Sequence, residues 1–272
     1  MALRFSPQQA VEAKSSGKKL VELTAYDYSF AKIIDETASV DMILVGDSLG
    51  MVMQGHDTTL PVTMDQAVYH VSMVSRGVKN AMVIADMPFM SYQINEDEAI
   101  RNAGRFVQEG NADAVKLEGA GRFCKIIRRL VETGIPVQGH IGLTPQSINM
   151  LGGWKIQGKT MSDAEKLLQQ AKELEDAGVF SLVLEGMPNE TAKMITENLT
   201  IPTIGIGAGP HCDGQVLVMH DMLGLSDFQP VFVKRYANLK NIAQTAVKQY
   251  SNEVRSGEFP GEKYTYKTKL SS

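Results

Sequence analysis

MILVGD at residues 42–47 decides the fold, because four apolar residues in a row end in a glycine and an aspartate. Three further runs have the same form: MVIAD ends in Asp86, AVKLE in Glu118 and SLVLE in Glu185. Uniformly apolar runs such as MILV and MVIA are typical of strands buried on both faces of a parallel sheet. If that sheet closes into a barrel, Asp47 and these three residues, here called the rim carboxylates, meet at the end where such barrels have their active sites.

The apolar runs alternate with helix-length amphipathic stretches, which predicts an α/β fold of the (βα)8 or TIM-barrel type. Ser6, Pro7 and Gln9 supply a cap, a first-turn proline and a capping-box side chain for a helix before the first strand. We expect this helix to plug the far end of the barrel. The predicted strands are Leu20–Ala25, Met42–Gly46, Ala81–Ala85, Ala114–Leu117, Pro136–Gly139, Ser181–Leu184, Pro202–Ile206 and Gln215–Met219.

Three later helices have recognisable first turns. Each is predicted from a cap residue followed three positions later by a glutamine or glutamate. The pairs are Thr63 with Gln66, Asn95 with Glu98 and Ser162 with Glu165.

The length and composition favour one large domain. A chain of 272 residues is in the usual range for a single α/β barrel, and its hydrophobic fraction of 43% supports a large core. We therefore expect residues 1–272 to form one barrel domain, with 1–18 as a helical cap and 262–272 as an irregular tail. The strand-to-helix connections Ser48–Val62 and Ile141–Thr160 are long, on the side of the rim carboxylates, and suggest a lid.

The charge pattern excludes several functional classes. The net charge is −4 and the 27 basic residues are scattered, so nucleic acid is not an expected partner. The sequence has no signal-like opening and no apolar run near ~18 residues, so we expect a cytoplasmic protein without membrane association. Cys124 and Cys212 form no CxxC pair and are interpreted as packing thiols.

Asp47 and Asp86 are the strongest candidates for binding a metal ion. Carboxylate oxygens suit Mg²⁺, which needs few protein ligands because water and substrate fill the other positions. Two carboxylates ~4 Å apart would repel by about 4 kcal/mol at an effective dielectric of 20, which disfavours a purely structural pair. The alternative is that each aspartate caps the turn that follows it.

Lys116, Glu118 and His140 are further candidates at the same rim. Lys116 and Glu118 are two residues apart on a strand, so their side chains point to the same face. They could act on a ligand or form an internal ion pair. His140 could bind a substrate carboxylate or be satisfied by a backbone carbonyl. His56, His70, His211 and His220 stay unassigned.

Six ordered motifs together resemble ketopantoate hydroxymethyltransferase over nearly the whole chain. The resemblance implies a barrel that uses Mg²⁺ and 5,10-methylenetetrahydrofolate to add a hydroxymethyl group to the keto acid 3-methyl-2-oxobutanoate, through a magnesium-bound enolate. It also implies a homo-oligomer, a decamer in that family. The motifs are LTAYD (23–27), VGDSLGM (45–51), ADMPFMSY (85–92), VKLEG (115–119), GHIGLTPQ (139–146) and LVLEGMP (182–188).

The resemblance also implies roles for individual residues. Glu185 matches the general base, and Glu118 matches a support of the single metal ion of each subunit, acting together with the two aspartates. The resemblance implies contacts to the keto acid from Ser48 and Lys116, and Asp47, Asp86 and His140 are predicted to bind it from their positions at strand ends. Turn capping is the competing role for Ser48. The folate-contacting residues cannot be chosen among Phe89, Tyr92 and Trp154.

Two alternatives come from different functional classes. A lyase of the phosphoenolpyruvate-mutase or isocitrate-lyase type would also bind a keto acid on Mg²⁺ but would cleave a bond. Members that cleave C–C bonds commonly use a cysteine in a mobile loop, which neither cysteine here matches. A non-catalytic barrel that senses the keto acid would not need Glu185.

Overall fold

A closed barrel of eight parallel strands is the centre of the fold. The computed structural model describes residues 4–267. In this part of the chain each strand pairs with the next, and the last strand pairs with the first. The predicted TIM barrel is therefore confirmed. The strands are β1 Leu20–Thr24, β2 Met42–Val45, β3 Met82–Asp86, β4 Ala114–Glu118, β5 Val137–Gly142, β6 Ser181–Glu185, β7 Thr203–Ile206 and β8 Gly214–Leu217.

Helices connect consecutive strands from β1 to β7, residues 207–213 join β7 to β8 as a loop, and one helix precedes β1 as predicted. Within residues 4–267 two short 3-10 turns occur as well, at Pro145–Ser147 and Glu262–Tyr264. The helices are α1 Pro7–Ser15, α2 Tyr28–Glu36, α3 Leu49–Val52, α4 Met64–Gly77, α5 Glu96–Gln108, α6 Phe123–Glu132, α7 Ile148–Leu151, α8 Met161–Asp176, α9 Asn189–Glu197, α10 Met219–Met222 and α11 Leu239–Ser256.

The first turn of α8 differs from the prediction. The cap is Thr160, whose hydroxyl accepts the N–H of Asp163, and the predicted pair of Ser162 and Glu165 is wrong. Thr160 has the extended backbone that a cap needs, whereas Ser162 already lies inside the helix. Capping from Thr63 and Asn95 is confirmed, and the box with Gln66 is complete.

The last strand ends earlier than expected. Strand β8 ends at Leu217, and Met219 begins α10 instead of closing the strand. At the start of β8, a Cβ on Gly214 would come within 2.6 Å of the carbonyl oxygen of Leu20, so only glycine lets β8 approach β1 this closely. The remaining strand boundaries differ from prediction by a few residues at most.

Helix α1 plugs the N-terminal end of the barrel, as expected. Ala10 and Ala13 belong to the same buried cluster as the barrel interior, which includes Met42, Met82 and Phe180. The capping box between Ser6 and Gln9 is present and starts this helix where the sequence indicates.

Three aspartates, here called the basal aspartates, tie the plug to the strands at this end. Each precedes an even-numbered strand and accepts a backbone N–H from the strand before it, at 2.8–2.9 Å. Each also forms an ion pair of 2.8–3.1 Å with a cation from the N-terminal segment. The pairs are Lys18 with Asp41, Arg4 with Asp113 and Lys14 with Asp213.

Both long connections at the opposite end are partly ordered. The first contains α3, and the second contains the turn Pro145–Ser147 followed by α7. Leu49 and Ile148 bury their side chains, so each connection packs some of its residues while leaving others exposed.

The chain divides into two compact units, up to Met219 and from His220 onward. In the second unit, none of the described residues of α11 is buried. Its apolar side chains Ile242, Val247, Tyr250 and Val254 are exposed. The single domain stays a prediction. Of the predicted cap 1–18 and tail 262–272, residues 1–3 and 268–272 lie outside the described residues. No helix between residues 4 and 267 has the length and apolar character needed to cross a membrane.

Candidate active site

The rim carboxylates lie where the ends of the strands place them. Asp86, Glu118 and Glu185 are the last residues of β3, β4 and β6, and Asp47 follows β2 by two positions. Three of the four are almost completely buried, with 2–6% of their surface exposed. The Glu185 side chain is the most open of the four, at 15%. The sequence therefore predicted correctly which acidic groups share this end of the barrel.

Asp47 and Asp86 are directly connected. The backbone N–H of Asp47 donates to Oδ2 of Asp86 at 3.1 Å. Burial raises the pKa of Asp86, which Lys116 opposes and the Asp47 carboxylate reinforces. These two aspartates therefore form a buried, charge-crowded pair that a further cation would relieve.

Lys116 partly balances the negative charge. Its Nζ lies 2.8 Å from Oδ1 of Asp86 and 4.0 Å from Oε1 of Glu118. Burial lowers the pKa of Lys116, but the neighbouring carboxylates outweigh this effect and leave it raised, so the ammonium stays charged. The internal ion pair considered above is thus closer to Asp86 than to Glu118.

Glu118 keeps one oxygen available. Its Oε2 accepts the backbone N–H of Gln146 at 3.0 Å, whereas Oε1 has no hydrogen-bond partner among residues 4–267. Burial raises the pKa of Glu118 well above its usual value, with Lys116 opposing.

His140 lies between the lysine and the last carboxylate. Its Nδ1 is 3.4 Å from Nζ of Lys116, and its Nε2 is 3.3 Å from Oε2 of Glu185. Burial and the Lys116 charge lower the pKa of His140 well below its ordinary value, so the imidazole is neutral. A backbone hydrogen bond with Leu143 acts in the opposite direction, which supports the structural alternative for this residue as well.

Glu185 has the basicity that proton transfer near neutral pH requires. Burial raises its pKa from 4.5 to about 8, with Lys116 lowering it and Asp47 raising it. A carboxylate of this basicity can accept a proton from a weak carbon acid and release it again.

Ser48 points its hydroxyl towards Tyr26. The two hydroxyl oxygens are 2.8 Å apart. Helix α3 begins directly after Ser48, but within the described part of the chain the serine side chain makes no capping hydrogen bond. The geometry therefore does not support turn capping, the competing role for this residue.

Sequence reasoning did not single out Gln146, although the quoted motif GHIGLTPQ ends on it. The side chain is buried and donates to Oδ2 of Asp47 at 3.1 Å. Tyr92 was considered only as a platform for folate, yet it is 1% exposed and its hydroxyl contacts Gln146 at 3.0 Å. Phe89 and Trp154 are exposed.

The buried pair of Asp47 and Asp86 suits Mg²⁺. No group of three or more His, Cys, Asp or Glu residues in the described range is arranged to hold a metal ion. Asp47 and Asp86 are adjacent, and a hard cation with one or two carboxylates completes its shell with substrate and water. The free oxygen of Glu118 can accept from such a water. The ligand set of Asp47, Asp86 and Glu118 stays a prediction.

A family model described as ketopantoate hydroxymethyltransferase matches residues 4–262. The chain belongs to the ketopantoate hydroxymethyltransferase family. Two relatives named 3-methyl-2-oxobutanoate hydroxymethyltransferase illustrate the similarity. The protein of Clostridium beijerinckii is 54% identical, with 94% of this chain and 93% of the relative covered. That of Desulforapulum autotrophicum is 52% identical, with 98% and 100% covered. The chain is therefore an enzyme of this family, as the resemblance implied.

Solved structures of more distant proteins share the barrel. A phosphonopyruvate hydrolase complex with oxalate and Mg²⁺ has a TM-score of 0.61 at 13% identity, covering 95% of this chain and 93% of that one. A 2,3-dimethylmalate lyase of the PEP mutase/isocitrate lyase superfamily has a TM-score of 0.62 at 15% identity, covering 96% and 88%. At such identities the likeness extends to the fold alone. The ketopantoate hydroxymethyltransferase family thus shares its architecture with the lyase-type alternative.

Proposed function

We propose that this protein transfers a hydroxymethyl group from 5,10-methylenetetrahydrofolate to 3-methyl-2-oxobutanoate, giving ketopantoate. Family membership over residues 4–262 carries the proposal. The rim supports it independently, because it combines a paired aspartate site, a charged lysine and a carboxylate of raised pKa.

Asp47 and Asp86 would hold Mg²⁺, and Glu118 would support it through water. When bound, the ion would withdraw electron density from the 2-oxo group of the keto acid and make its C3 hydrogen more acidic. Ser48 would contact the keto acid through its hydroxyl, which already lies in a polar contact with Tyr26.

Glu185 is the proposed base. It takes the proton from C3, and its Oε2 lies 3.3 Å from Nε2 of His140, whose ring is neutral. The Lys116 ammonium faces the negative charge that develops on the substrate. Opening of one C–N bond of the folate makes its methylene carbon electrophilic, and C3 attacks that carbon to form the C–C bond. Water then replaces the remaining folate nitrogen on this carbon, which releases tetrahydrofolate and the hydroxymethyl product. The connections after β2 and β5 would exclude water until the C–C bond has formed.

The lyase alternative receives less support from the residues present. Cys124 is buried in α6 and Cys212 is buried between β7 and β8, and burial raises the pKa of both thiols. Neither thiol is therefore placed to act as a mobile-loop acid.

We also propose a cytoplasmic homo-oligomer, a decamer as the family implies. The exposed apolar side chains of α11 support self-association. Light scattering should give a mass several times the 29.8 kDa of one chain. A monomer across the working concentrations would contradict this proposal without touching the catalytic one.

The decisive experiment mixes the pure protein with 3-methyl-2-oxobutanoate, 5,10-methylenetetrahydrofolate and Mg²⁺ and measures ketopantoate. We expect product formation that chelation of Mg²⁺ abolishes. Bond cleavage of an added 2-substituted malate, in the absence of ketopantoate formation, would favour the lyase. Binding of the keto acid without any turnover would favour the sensor.

A further inference from the structure

Gln146 joins the second long connection to the rim carboxylates. It lies in the turn Pro145–Ser147, after β5, and is 5% exposed. Its backbone N–H donates to Glu118 at 3.0 Å and its side-chain Nε2 donates to Asp47 at 3.1 Å. One residue of a connection therefore holds two carboxylates that come from the ends of different strands.

The orientation of the Gln146 amide is determined by its other partners. Nε2 also donates to the carbonyl of Met87 at 2.9 Å. Oε1 accepts from the Tyr92 hydroxyl at 3.0 Å and from Nε2 of Gln93 at 3.2 Å. A flipped amide would turn Oε1 towards the Asp47 carboxylate and the Met87 carbonyl, two acceptors. The network therefore assigns the donor end to Asp47.

These contacts occupy one oxygen of each carboxylate. Glu118 accepts from Gln146 through Oε2, while its Oε1 has no hydrogen-bond partner in the described part of the chain. The Asp47 side chain accepts through Oδ2. Gln146 thus restricts the rotation of both groups and leaves an oxygen for a ligand.

We infer that Gln146 is a positioning residue that couples docking of the connection 141–160 to ligand binding by Asp47 and Glu118. The inference rests on the proposed function for the identity of the ligands, Mg²⁺ and the keto acid. Because the same hydrogen bonds anchor the connection and orient the carboxylates, each event stabilises the other. A ligand that fixes the carboxylates should therefore also hold the connection on the barrel.

Gln146→Met tests this, because methionine keeps the length and volume of the side chain and removes its donor and acceptor. The hydrogen bond from the backbone N–H of residue 146 to Glu118 remains, so the variant loses the side-chain contact to Asp47 and keeps the contact to Glu118. Gln138→Met is the matched control. Gln138 is also a buried glutamine of the barrel, but its side chain donates to Glu22 and Ser181 and not to a rim carboxylate.

The first measurement is calorimetric titration of MgCl₂ together with 3-methyl-2-oxobutanoate. Gln146→Met should weaken binding roughly 10- to 100-fold, the scale of one hydrogen bond to a charged group. Gln146→Glu should weaken it further, because a carboxylate would replace the donor beside Asp47. Gln138→Met should bind like the parent.

The second measurement uses Trp154, the single tryptophan of the sequence, which lies in the same connection and is 55% exposed. In the parent, Mg²⁺ with the keto acid should reduce quenching of Trp154 fluorescence by acrylamide. In Gln146→Met, quenching should be stronger without ligand and should no longer respond to it. Equal affinity and equal quenching in Gln146→Met and the parent would overturn the inference.

Failure of the proposed function gives a different pattern. If the parent binds neither Mg²⁺ nor the keto acid, the ligand assignment is wrong, and the ligand-free quenching decides the anchoring role alone. Stronger quenching in Gln146→Met than in Gln138→Met supports the anchor. Equal quenching in these two variants overturns it.

Discussion

The two ends of the barrel both carry buried or half-buried acidic side chains. They differ in how fully cations and hydrogen-bond donors balance the negative charge of these side chains. Each basal aspartate has its own cation and accepts a backbone N–H. The rim carboxylates crowd around Lys116, which pairs closely with Asp86, and the buried Oε1 of Glu118 lacks a hydrogen-bond partner among residues 4–267. Compensated charges hold a fold together, whereas uncompensated ones are ready to bind a ligand.

This difference matches the division of labour in α/β barrels. The N-terminal end supplies stability and the C-terminal end supplies chemistry. Buried carboxylates cost folding free energy unless they are paired. The rim carboxylates therefore lower the stability of the fold and provide groups that can bind a ligand. The comparison predicts that substitutions at the two ends affect different measurable properties.

The largest expected effect is on proton transfer, in Glu185→Gln. In D₂O with Mg²⁺, the parent should exchange the C3 proton of 3-methyl-2-oxobutanoate even without folate, because proton removal precedes the C–C bond in the proposed reaction. The glutamine keeps the shape and removes the basicity. Exchange followed by NMR should fall on the order of 10²–10⁴-fold, with the keto acid still bound. Undiminished exchange in the variant would move the base to another residue, with Glu118 the next candidate.

A smaller effect is expected on affinity, in Asp47→Asn. The variant should bind Mg²⁺ and the keto acid at least about 10-fold more weakly, because it removes a proposed charged ligand of the ion. It should unfold at the same urea concentration as the parent or a higher one, since one repulsive charge leaves the rim. Calorimetry and urea unfolding measure the two properties. Unchanged affinity that still depends on Mg²⁺ would sink the assignment of Asp47.

The third effect is the pH dependence of the free energy of unfolding, and it concerns Glu22 in the barrel interior. Glu22 of β1 is buried and accepts from Nε2 of Gln138 at 3.0 Å. Burial raises its pKa from 4.5 to about 7, with the Gln138 hydrogen bond opposing. The folded state therefore holds this proton more tightly than the unfolded state, and the free energy of unfolding falls as pH rises from about 4.5 through 7.

Glu22→Gln should remove this loss. The variant should be more stable than the parent above pH 7, by about 3 kcal/mol at most, and equal to it near pH 4. Urea unfolding across this range measures the difference. The exposed residue Glu165 offers the control Glu165→Gln, which should track the parent throughout. A constant offset at every pH would contradict the titration of Glu22.

The smallest effect is expected at the basal end, in Asp213→Asn. This change weakens the ion pair with Lys14 and the hydrogen bonds to the backbone and side chain of Thr203, at a site where the side chain is 17% exposed. We expect a loss of about 1–2 kcal/mol in the free energy of unfolding, with Mg²⁺ and keto-acid affinity unchanged. A loss of affinity without a loss of stability would erase the contrast between the two ends.

The sequence predicts the strands well because buried parallel strands leave a strong apolar signal. The same signal predicts the position of the rim carboxylates, since each acidic residue closes an apolar run and therefore lies at the C-terminal end of the barrel. Strand β8 is less well predicted because its sequence, GQVL, mixes exposed and buried positions. The cap of α8 was misassigned because Thr160 and Ser162 both offer a hydroxyl within two residues of each other.

The networks around the strands leave weaker traces in the sequence. Gln146 contacts partners 28 and 99 positions away, so no local spacing identifies it. In the sequence the basal aspartates resemble ordinary turn residues, because their ion-pair partners lie far away in the N-terminal segment. Roles that depend on distant side chains therefore required the structure.

The ion pairs of the plug form only after their carboxylate partners have been synthesised. Arg4 leaves the ribosome 109 residues before Asp113, and Lys14 precedes Asp213 by 199 residues. At about 5–20 residues per second, translation takes on the order of 10–40 s to supply the last partner. Helix α1 is thus synthesised well before the last of its ion-pair partners. A chain interrupted before Asp213 lacks the carboxylate partner of Lys14, so its N-terminal segment is held by fewer contacts than in the complete barrel.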